Sequence, residues 1–374
     1  QKTFGDDRAS PDLEAHIEVI DPRFYSDIAF GGSIGAGEAF MQGYWQCEQL
    51  VELVQILLRN REVLDGMETG TARLTEPLQK LFHWVNRNTH EGARRNISAH
   101  YDLGNDFFAL WLDPTMMYSS AIFTQPDMSL HQAQLARLDI ICRKLQLNAD
   151  DHLVEIGTGW GGLAIHAASR FGCRVTTTTI SAEQYELARE RVKEAGLDDR
   201  ITLLQEDFRD LTGQYDKLVS IEMIEAIGSS LYKPYFRKCS ELLKPDGLML
   251  LQAITIADQR YAEAQRSVDF IQRYIFPGSC LPSSAAMTNT VAEHTDMRLL
   301  DLEDIGLHYA TTLHCWRTQF NEHLDEVRQM GYPESFIRMW QFYLCYCEGA
   351  FLERAISDLQ LIFSKPDFRT PLNA

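Results

Sequence analysis

Residues 154–162, Val-Glu-Ile-Gly-Thr-Gly-Trp-Gly-Gly, constrain the fold of this chain more than any other segment. They follow an apolar run and open an amphipathic one, which predicts a strand, a glycine turn and the start of a helix. Gly157, Gly159 and Gly162 fit the pattern G-x-G-x-x-G, in which glycines let the backbone approach a ligand at a helix N-terminus. Glu155, two residues before the first glycine, places a carboxylate where it can orient the turn or a ligand's amino group.

Strand and helix signals alternate along the chain. Strands are predicted at residues 152–156, 173–179, 201–205, 217–221 and 248–254, with a returning last strand at 358–363. Helices are predicted at residues 40–59 (after a glycine-rich turn at 31–43), 129–145, 182–195, 232–243, 261–274, 283–295, 314–330 and from Pro333 onward. This alternation predicts an α/β fold with a mostly parallel sheet and helices on both faces.

The residues after the second strand narrow the choice of ligand. A dinucleotide site places Asp or Glu about 20 residues beyond the first glycine, at the tip of that strand, to hold a ribose. Here the strand ends in threonines, and Glu183 comes later, beyond the helix cap Ser181. The pattern therefore favours S-adenosylmethionine over NAD.

Composition excludes several other classes of protein. The 374 residues suggest about two domains, and the net charge of −18 argues against non-specific nucleic-acid binding. No apolar run reaches the length of a spanning helix, and the first residues show no signal-peptide pattern. The eight cysteines form no C-x-x-C pair, which predicts a reduced, cytoplasmic protein without a structural zinc or other metal site.

Six further segments, together with the glycine turn, carry a family resemblance. They are residues 35–45 (Gly-Ala-Gly-Glu-Ala-Phe-Met-Gln-Gly-Tyr-Trp), 100–108 (His-Tyr-Asp-Leu-Gly-Asn-Asp-Phe-Phe), 116–120 (Met-Met-Tyr-Ser-Ser), 156–162, 179–184 (Thr-Ile-Ser-Ala-Glu-Gln), 220–225 (Ser-Ile-Glu-Met-Ile-Glu) and 274–282 (Tyr-Ile-Phe-Pro-Gly-Ser-Cys-Leu-Pro). With these segments in order, the chain resembles the cyclopropane-fatty-acyl-phospholipid synthases, which include the mycolic-acid cyclopropane synthases, from about residue 30 to 363.

The resemblance implies a class I S-adenosylmethionine-dependent methyltransferase fold, Rossmann-like, with a mostly parallel seven-stranded sheet. It also implies a smaller, mainly helical, lipid-binding N-terminal domain. We expect that domain and its linker at residues 1–95, and the catalytic domain at 96–374 with a cover insertion near 256–300.

The resemblance also assigns residues to the cofactor. Gly157 and Gly159 would contact its methionine part, Thr179, Ile180 and Gln184 its ribose region, Asp207 and Phe208 its adenine, and Tyr118 and Ser119 would close over it from the helical side. Without the resemblance, the preferred interpretation is a core residue for Phe208 and a surface-turn tyrosine for Tyr118.

Family members bind a bicarbonate ion that acts as the base, through a carboxylate, a tyrosine, a histidine, a cysteine and a backbone amide. Glu225 matches the carboxylate, Tyr309 the tyrosine and Ile254 the amide. Thr158 stands where many members have Cys, and Gln252 where many have His. Both retain a hydrogen-bond donor, so the resemblance implies a bicarbonate site of altered geometry.

The implied activity is transfer of a methylene group from S-adenosylmethionine to the cis double bond of an unsaturated phospholipid acyl chain. One alternative is methyl transfer without ring closure, giving methyl-branched or methylene acyl chains. Others are N-methylation of a small amine and lipid binding without catalysis. The substrate implies transient membrane contact, for which the basic residues 87–95 are a candidate beside a plain solvated loop, and the resemblance suggests a homodimer.

Overall fold

The computed structural model of the chain describes residues 13–61, 89, 92–93 and 103–372. The charged residues of the basic segment 87–95, and His100, Tyr101 and Asp102 of the resemblance, lie outside the described residues. The described strands are β1 (Glu18–Val19), β2 (Trp45–Gln46), β3 (His152–Ile156), β4 (Arg174–Thr178), β5 (Ile201–Leu204), β6 (Tyr215–Ile221), β7 (Leu243–Ile256), β8 (Arg298–Asp304) and β9 (Ile356–Ser364). The described α-helices are α1 (Arg23–Met41), α2 (Leu50–Arg59), α3 (Asn105–Ala109), α4 (Leu130–Lys144), α5 (Gly162–Phe171), α6 (Ala182–Glu194), α7 (Ile224–Ile227), α8 (Tyr232–Leu242), α9 (Asp258–Ala264), α10 (Phe270–Tyr274), α11 (Ser284–His294), α12 (Gly306–Glu322), α13 (Leu324–Gln329) and α14 (Glu334–Leu352).

Within the described part of the chain, seven strands form the central sheet in the order β5-β4-β3-β6-β7-β9-β8. Strands β3 to β7 pair in parallel, whereas β9 runs antiparallel between β7 and β8. The prediction of an α/β fold with a mostly parallel seven-stranded sheet is confirmed. All six strands proposed from the sequence exist, with bounds that differ by a few residues.

The edge strand β8 was not predicted. All seven of its residues are exposed, including Leu299, Leu300 and Leu302, so the segment lacks the in-out alternation that marks a half-buried strand. It is a strand because its backbone pairs with β9. That pairing depends on the fold and leaves no periodic signal in the sequence.

The prediction of one helix at residues 40–59 was wrong. Helix α1 ends at Met41, strand β2 follows, and α2 begins only at Leu50. The glycine-rich stretch predicted as a turn instead lies within α1, which is kinked at Gly32 (φ 54°). A Cβ at Gly37 would lie 2.5 Å from the Phe270 ring, so glycine here permits close packing rather than a turn.

Two other single-helix predictions were also wrong. Residues 261–274 are divided between α9 and α10, because the Asp269 side chain caps α10 in a capping box with Gln272. Residues 314–330 are divided between α12, which already begins at Gly306, and α13. The predicted helix at Ser129 is confirmed, and Ser129 forms a capping box with Gln132.

A large aromatic cluster joins the N-terminal elements to the last helices. It contains Phe40 and Trp45 from the N-terminal part, and Trp316 and Trp340 from α12 and α14, all buried. Helices α1 and α2 both pack on α14. The described N-terminal elements therefore share a core with α12 and α14.

Candidate functional site

The site lies at the carboxyl ends of β3 and β6. These strands are neighbours, but the chain leaves β3 toward β4 on one side of the sheet and leaves β6 toward β7 on the other. Such a switch point opens a crevice in which α/β proteins bind ligands. Gly157 is the first residue after β3, and Glu222 is the first after β6.

The glycine turn has the backbone that its sequence predicts. Gly157 and Gly159 have φ values of 104° and 52°, which a side chain would strain. The N–H groups of Gly157 and Thr158 donate to the Thr178 carbonyl, at 3.1 and 3.0 Å, which fixes the turn against β4. A Cβ at Gly159 would meet no atom within 4 Å, so the turn has open space beside it.

The predicted ribose-region residues lie together at the end of β4. The Thr179 hydroxyl donates to Gln184 Oε1 at 2.9 Å, and the Ser181 N–H donates to the same hydroxyl at 3.2 Å. Ile180 lies between them and is half-buried. These contacts hold Gln184 in the first turn of α6, beside the turn that follows β3.

The predicted adenine-region residues follow β5. Asp207 is buried, and its carboxylate accepts hydrogen bonds from Arg209 Nε and Nη2, both at 2.7 Å. Phe208 packs edge-on against Tyr235, with ring centroids 5.5 Å apart. Both residues lie at the same edge of the sheet as the glycine turn, and Phe208 is also part of the hydrophobic core.

Residues 118–119 lie in the segment between α3 and α4. The Tyr118 and Tyr343 hydroxyl oxygens are 2.9 Å apart, and the Tyr118 ring packs among Phe108, Trp111 and Trp316. The Ser119 hydroxyl is buried and has no hydrogen-bond partner among the described residues. A buried hydroxyl without a partner and the open glycine turn fit a polar cofactor such as S-adenosylmethionine.

Glu222 is the centre of the predicted catalytic group. Its Oε1 accepts hydrogen bonds from the Ser120 N–H and from Gln252 Nε2, both at 2.8 Å. Its Oε2 accepts a hydrogen bond from the Tyr309 hydroxyl at 2.7 Å. The structure thus brings Tyr309 and Gln252 together on a carboxylate that the sequence analysis did not select.

The remaining predicted residues make other contacts. Glu225 Oε1 accepts a hydrogen bond from the Ile254 N–H, while its Oε2 is buried without a partner in the described residues. The Thr158 hydroxyl bonds that of Thr177 at 2.7 Å, and Thr177 donates to Glu155 at 2.6 Å. Thr158 therefore belongs to a second hydrogen-bonded chain, between β3 and β4.

Two buried ionisable groups complete the site. Asp358 on β9 accepts a hydrogen bond from Gln252 Nε2 at 2.9 Å, and its other oxygen has no partner among the described residues. Arg137 on α4 is fully buried and donates to Gln134 through Nη2 at 2.8 Å. Its charge acts electrostatically on both Glu222 and Asp358.

Burial governs the protonation of these carboxyl groups. It raises the pKa of Glu225 to about 8, with the nearby Glu222 charge adding to the effect. Burial and the Glu222 charge also raise the pKa of Asp358 well above its ordinary value. Burial raises the pKa of Glu222 as well, although its three donors and Arg137 oppose the shift.

Glu222, Asp358 and Arg137 were not predicted as site residues from the sequence. Glu222 had a detectable signal, because it directly follows a strand at the switch point and lies in the same short motif as Glu225. Arg137 and Asp358 had none, since each is one charged residue in a segment otherwise predicted as an ordinary helix or strand.

The sequence and fold of this chain match a known family. The model of the family described as mycolic acid cyclopropane synthetase matches residues 88–361. This chain belongs to that family. It is therefore an S-adenosylmethionine-dependent methyltransferase, as the sequence predicted.

The similar proteins include a methyltransferase and a cyclopropane synthase. The chain is 39% identical over 329 residues to the tuberculostearic acid methyltransferase UfaA1 of Mycobacterium tuberculosis, covering 86% of this chain and 76% of the relative. It is 38% identical over 359 residues to the cyclopropane-fatty-acyl-phospholipid synthase of Escherichia coli, covering 94% and 88%.

Solved structures agree with the fold. The cyclopropane synthase MmaA2 from Mycobacterium tuberculosis gives a TM-score of 0.68 at 29% identity, covering 73% of this chain and 98% of that one. The mycolic acid cyclopropane synthase CmaA1, solved with SAH and CTAB, gives the same values. Among the described helices, none has both the length and the apolar character required to cross a bilayer.

Proposed function

We propose that this enzyme transfers one carbon from S-adenosylmethionine to the cis double bond of an unsaturated acyl chain in a membrane phospholipid. One observation carries the proposal. A buried carboxylate group, held by Tyr309 and Gln252, lies at the switch point beside the glycine turn. The phospholipid form of the substrate is inferred from the Escherichia coli relative, which aligns with nearly the whole chain.

The reaction sets three demands on the protein. When bound, S-adenosylmethionine supplies an electrophilic methyl group, and attack by the alkene leaves a positive charge on the acyl chain. Water must be excluded, aromatic faces must tolerate that charge, and a base must take a proton. Tyr118, Trp111 and Trp316 pack together and are the candidates for these aromatic faces, and the resemblance implies a bound bicarbonate as the base.

For binding of S-adenosylmethionine we propose Tyr118, Ser119, Gly157, Gly159, Thr179, Ile180, Gln184, Asp207 and Phe208. For catalysis we propose Glu225, Tyr309, Gln252, Thr158 and the Ile254 amide, with bicarbonate as a base implied by the resemblance. Ser119 is the most informative of these residues, because its buried hydroxyl offers a hydrogen bond that no described protein group accepts or donates.

Ring closure to a cyclopropane is the first candidate outcome. The second is a methyl-branched or methylene acyl chain, formed when the proton is lost without closure of the ring. Two observations favour the second outcome. The Thr158 hydroxyl is hydrogen-bonded to Thr177 and not to the Glu222 group, and the relative UfaA1 is a tuberculostearic acid methyltransferase.

The test is incubation of the enzyme with isotope-labelled S-adenosylmethionine and vesicles of cis-unsaturated phospholipid, followed by NMR of the fatty-acid product. Upfield cyclopropyl signals identify ring closure. Olefinic methylene or branched-methyl signals identify the second outcome. Absence of any labelled lipid contradicts the proposal and directs attention to amine acceptors.

We further propose a cytoplasmic enzyme that contacts the inner membrane transiently. In this proposal residues 1–95 handle lipid, residues 96–374 catalyse with a cover near 256–300, and the enzyme is a homodimer. Charge reversal at Arg94 and Arg95 should weaken sedimentation with anionic vesicles. Unchanged sedimentation would exclude the basic segment as the contact, and analytical ultracentrifugation tests the dimer.

A further inference from the structure

The donors that the resemblance assigns to a bicarbonate ion are already bonded to carboxylates of the chain. The Tyr309 hydroxyl and the Gln252 amide donate to Glu222. The Ile254 N–H donates to Glu225. A small anion bound by the same donors would have to displace Glu222 from two of its three hydrogen bonds.

We propose that the Glu222 carboxylate is the base of this enzyme and takes the position that the resemblance gives to bicarbonate. The inference rests on the proposed one-carbon transfer to an alkene, and it names the group that completes that reaction. A carboxylate and a bicarbonate ion present similar planar oxygen pairs, so the same donors can orient either.

The backbone supports a functional reading of Glu222. Its φ is 48°, in the left-handed region that a residue with a Cβ rarely adopts. Its N–H donates to the Gln252 carbonyl at 2.8 Å, and its carboxylate accepts a hydrogen bond from the Ser120 N–H. Strained positions of this kind concentrate at functional sites, where surrounding contacts hold them in place.

Charge balance selects Glu222 as the ionised member of the cluster. The cluster contains one guanidinium, Arg137, and three buried carboxyl groups, Glu222, Glu225 and Asp358. One cation balances one anion. Glu222 accepts three hydrogen bonds, whereas Glu225 and Asp358 each accept one, and the other oxygen of each is buried without a partner among the described residues. Hydrogen-bond donors favour the ionised form of a carboxyl group, so the group with three donors is the one most favoured to carry the charge. The neutral partners therefore leave the negative charge on Glu222.

In the proposed reaction, Glu222 acts after the methyl group has been transferred. The alkene electron pair forms a bond to the transferred methyl carbon, and the sulfur–carbon bond electrons leave with sulfur, giving S-adenosylhomocysteine. The Glu222 carboxylate then takes one proton from the cationic acyl chain. The electrons of that C–H bond close the ring or form the methylene double bond, and Glu222 returns the proton to water between turnovers.

The test compares two substitutions of Glu222, of which only Glu222→Gly should respond to added bicarbonate. Glu222→Gln keeps the shape of the side chain but removes its basicity, so turnover should fall about 100-fold or more. Glu222→Gly suits the left-handed φ and empties the space, so it should fold. It should also bind ¹³C-bicarbonate, detected by NMR line broadening, and regain turnover when bicarbonate is added.

Affinity for S-adenosylhomocysteine, measured by calorimetry, and the melting temperature test whether each variant retains its fold. The exposed Glu241→Gln variant is a matched control for the amide substitution. Wild-type turnover should be the same in carbon dioxide-free buffer, and wild type should not broaden the ¹³C signal. Retained turnover in Glu222→Gln, or bicarbonate-dependent turnover in wild type, would overturn the inference. Absence of lipid product from wild type would instead contradict the proposed function.

Discussion

At the scale of single residues, Ser119 and Ser120 differ in a way that separates ligand binding from folding. The Ser119 hydroxyl has no described protein partner, whereas the Ser120 hydroxyl donates to the Ala121 carbonyl at 3.0 Å. Ser119→Ala should therefore weaken S-adenosylhomocysteine binding about 5- to 10-fold, the value of one hydrogen bond, without lowering the melting temperature. Ser120→Ala should lower the melting temperature and leave the affinity unchanged. Calorimetry and thermal unfolding measure both, and the reverse pattern would give Ser119 a structural role.

Glu155 should make the stability of the protein depend on pH. Burial raises its pKa from 4.5 to about 8, although the Thr177 hydrogen bond opposes the shift. Between those values the unfolded chain loses a proton that the folded protein keeps, so stability falls as pH rises, by about 1.4 kcal/mol per pH unit for such a group.

Glu155→Gln should therefore reduce the loss of stability between pH 5 and 8, measured by urea unfolding at several pH values. Burial also raises the pKa of Glu225 to about 8, so the stability of Glu155→Gln should still fall with rising pH, but less steeply than that of wild type. The exposed Glu186→Gln should leave the wild-type slope unchanged. Equal slopes for wild type and Glu155→Gln would mean that Glu155 is ionised in the folded protein.

At the scale of secondary-structure elements, Gly162 determines how closely α5 approaches the segment before α4. A Cβ there would lie 2.6 Å from Met117 Sδ and 2.8 Å from the Thr115 carbonyl oxygen. Gly162→Ala should therefore cost about 1–3 kcal/mol of unfolding free energy through overpacking. Gly31→Ala, in α1 with no atom within 4 Å of the new Cβ, should be neutral or stabilising. Equal effects of the two substitutions in chemical denaturation would rule out close packing at Gly162.

Elements with local signals were predictable from the sequence. The glycine turn, the Ser129 cap and the five parallel strands depend on neighbouring residues, and all are present. The glycine-rich part of α1 was misread as a turn, because Gly37 instead permits close packing against Phe270, which is distant in sequence. The same limit applies to the site. Tyr309 and Gln252 were identified through the resemblance, whereas the hydrogen bonds that join them to Glu222 are tertiary contacts without a local sequence signal.

At the scale of the whole molecule, the described N-terminal elements and the catalytic part are held together by a shared core. Arg338 on α14 donates to the Trp45 carbonyl at 2.8 Å, and its guanidinium lies 4.3 Å from the centroid of the Phe40 ring. Such tertiary contacts leave no local signal in the sequence. We expect heat to unfold both parts in one transition, because separating them would expose the aromatic cluster to water.

Gly349 tests this shared core directly. A Cβ at Gly349 on α14 would lie 2.7 Å from Val54 Cγ1 and 3.1 Å from the Val51 carbonyl oxygen on α2. Gly349→Ala should therefore push α2 and α14 apart and cost about 1–3 kcal/mol. Val54→Ala should also be destabilising, because it removes buried methyl groups.

The double variant carrying Gly349→Ala and Val54→Ala should lose less stability than the sum of the single losses, since the smaller residue 54 makes room for the new methyl group. A coupling energy of about 0.5–3 kcal/mol is expected for residues in contact. Urea unfolding of the four proteins in the cycle measures it. Additive losses would show that α14 accommodates the methyl group without moving α2, and that the two helices are less tightly joined than their close packing indicates.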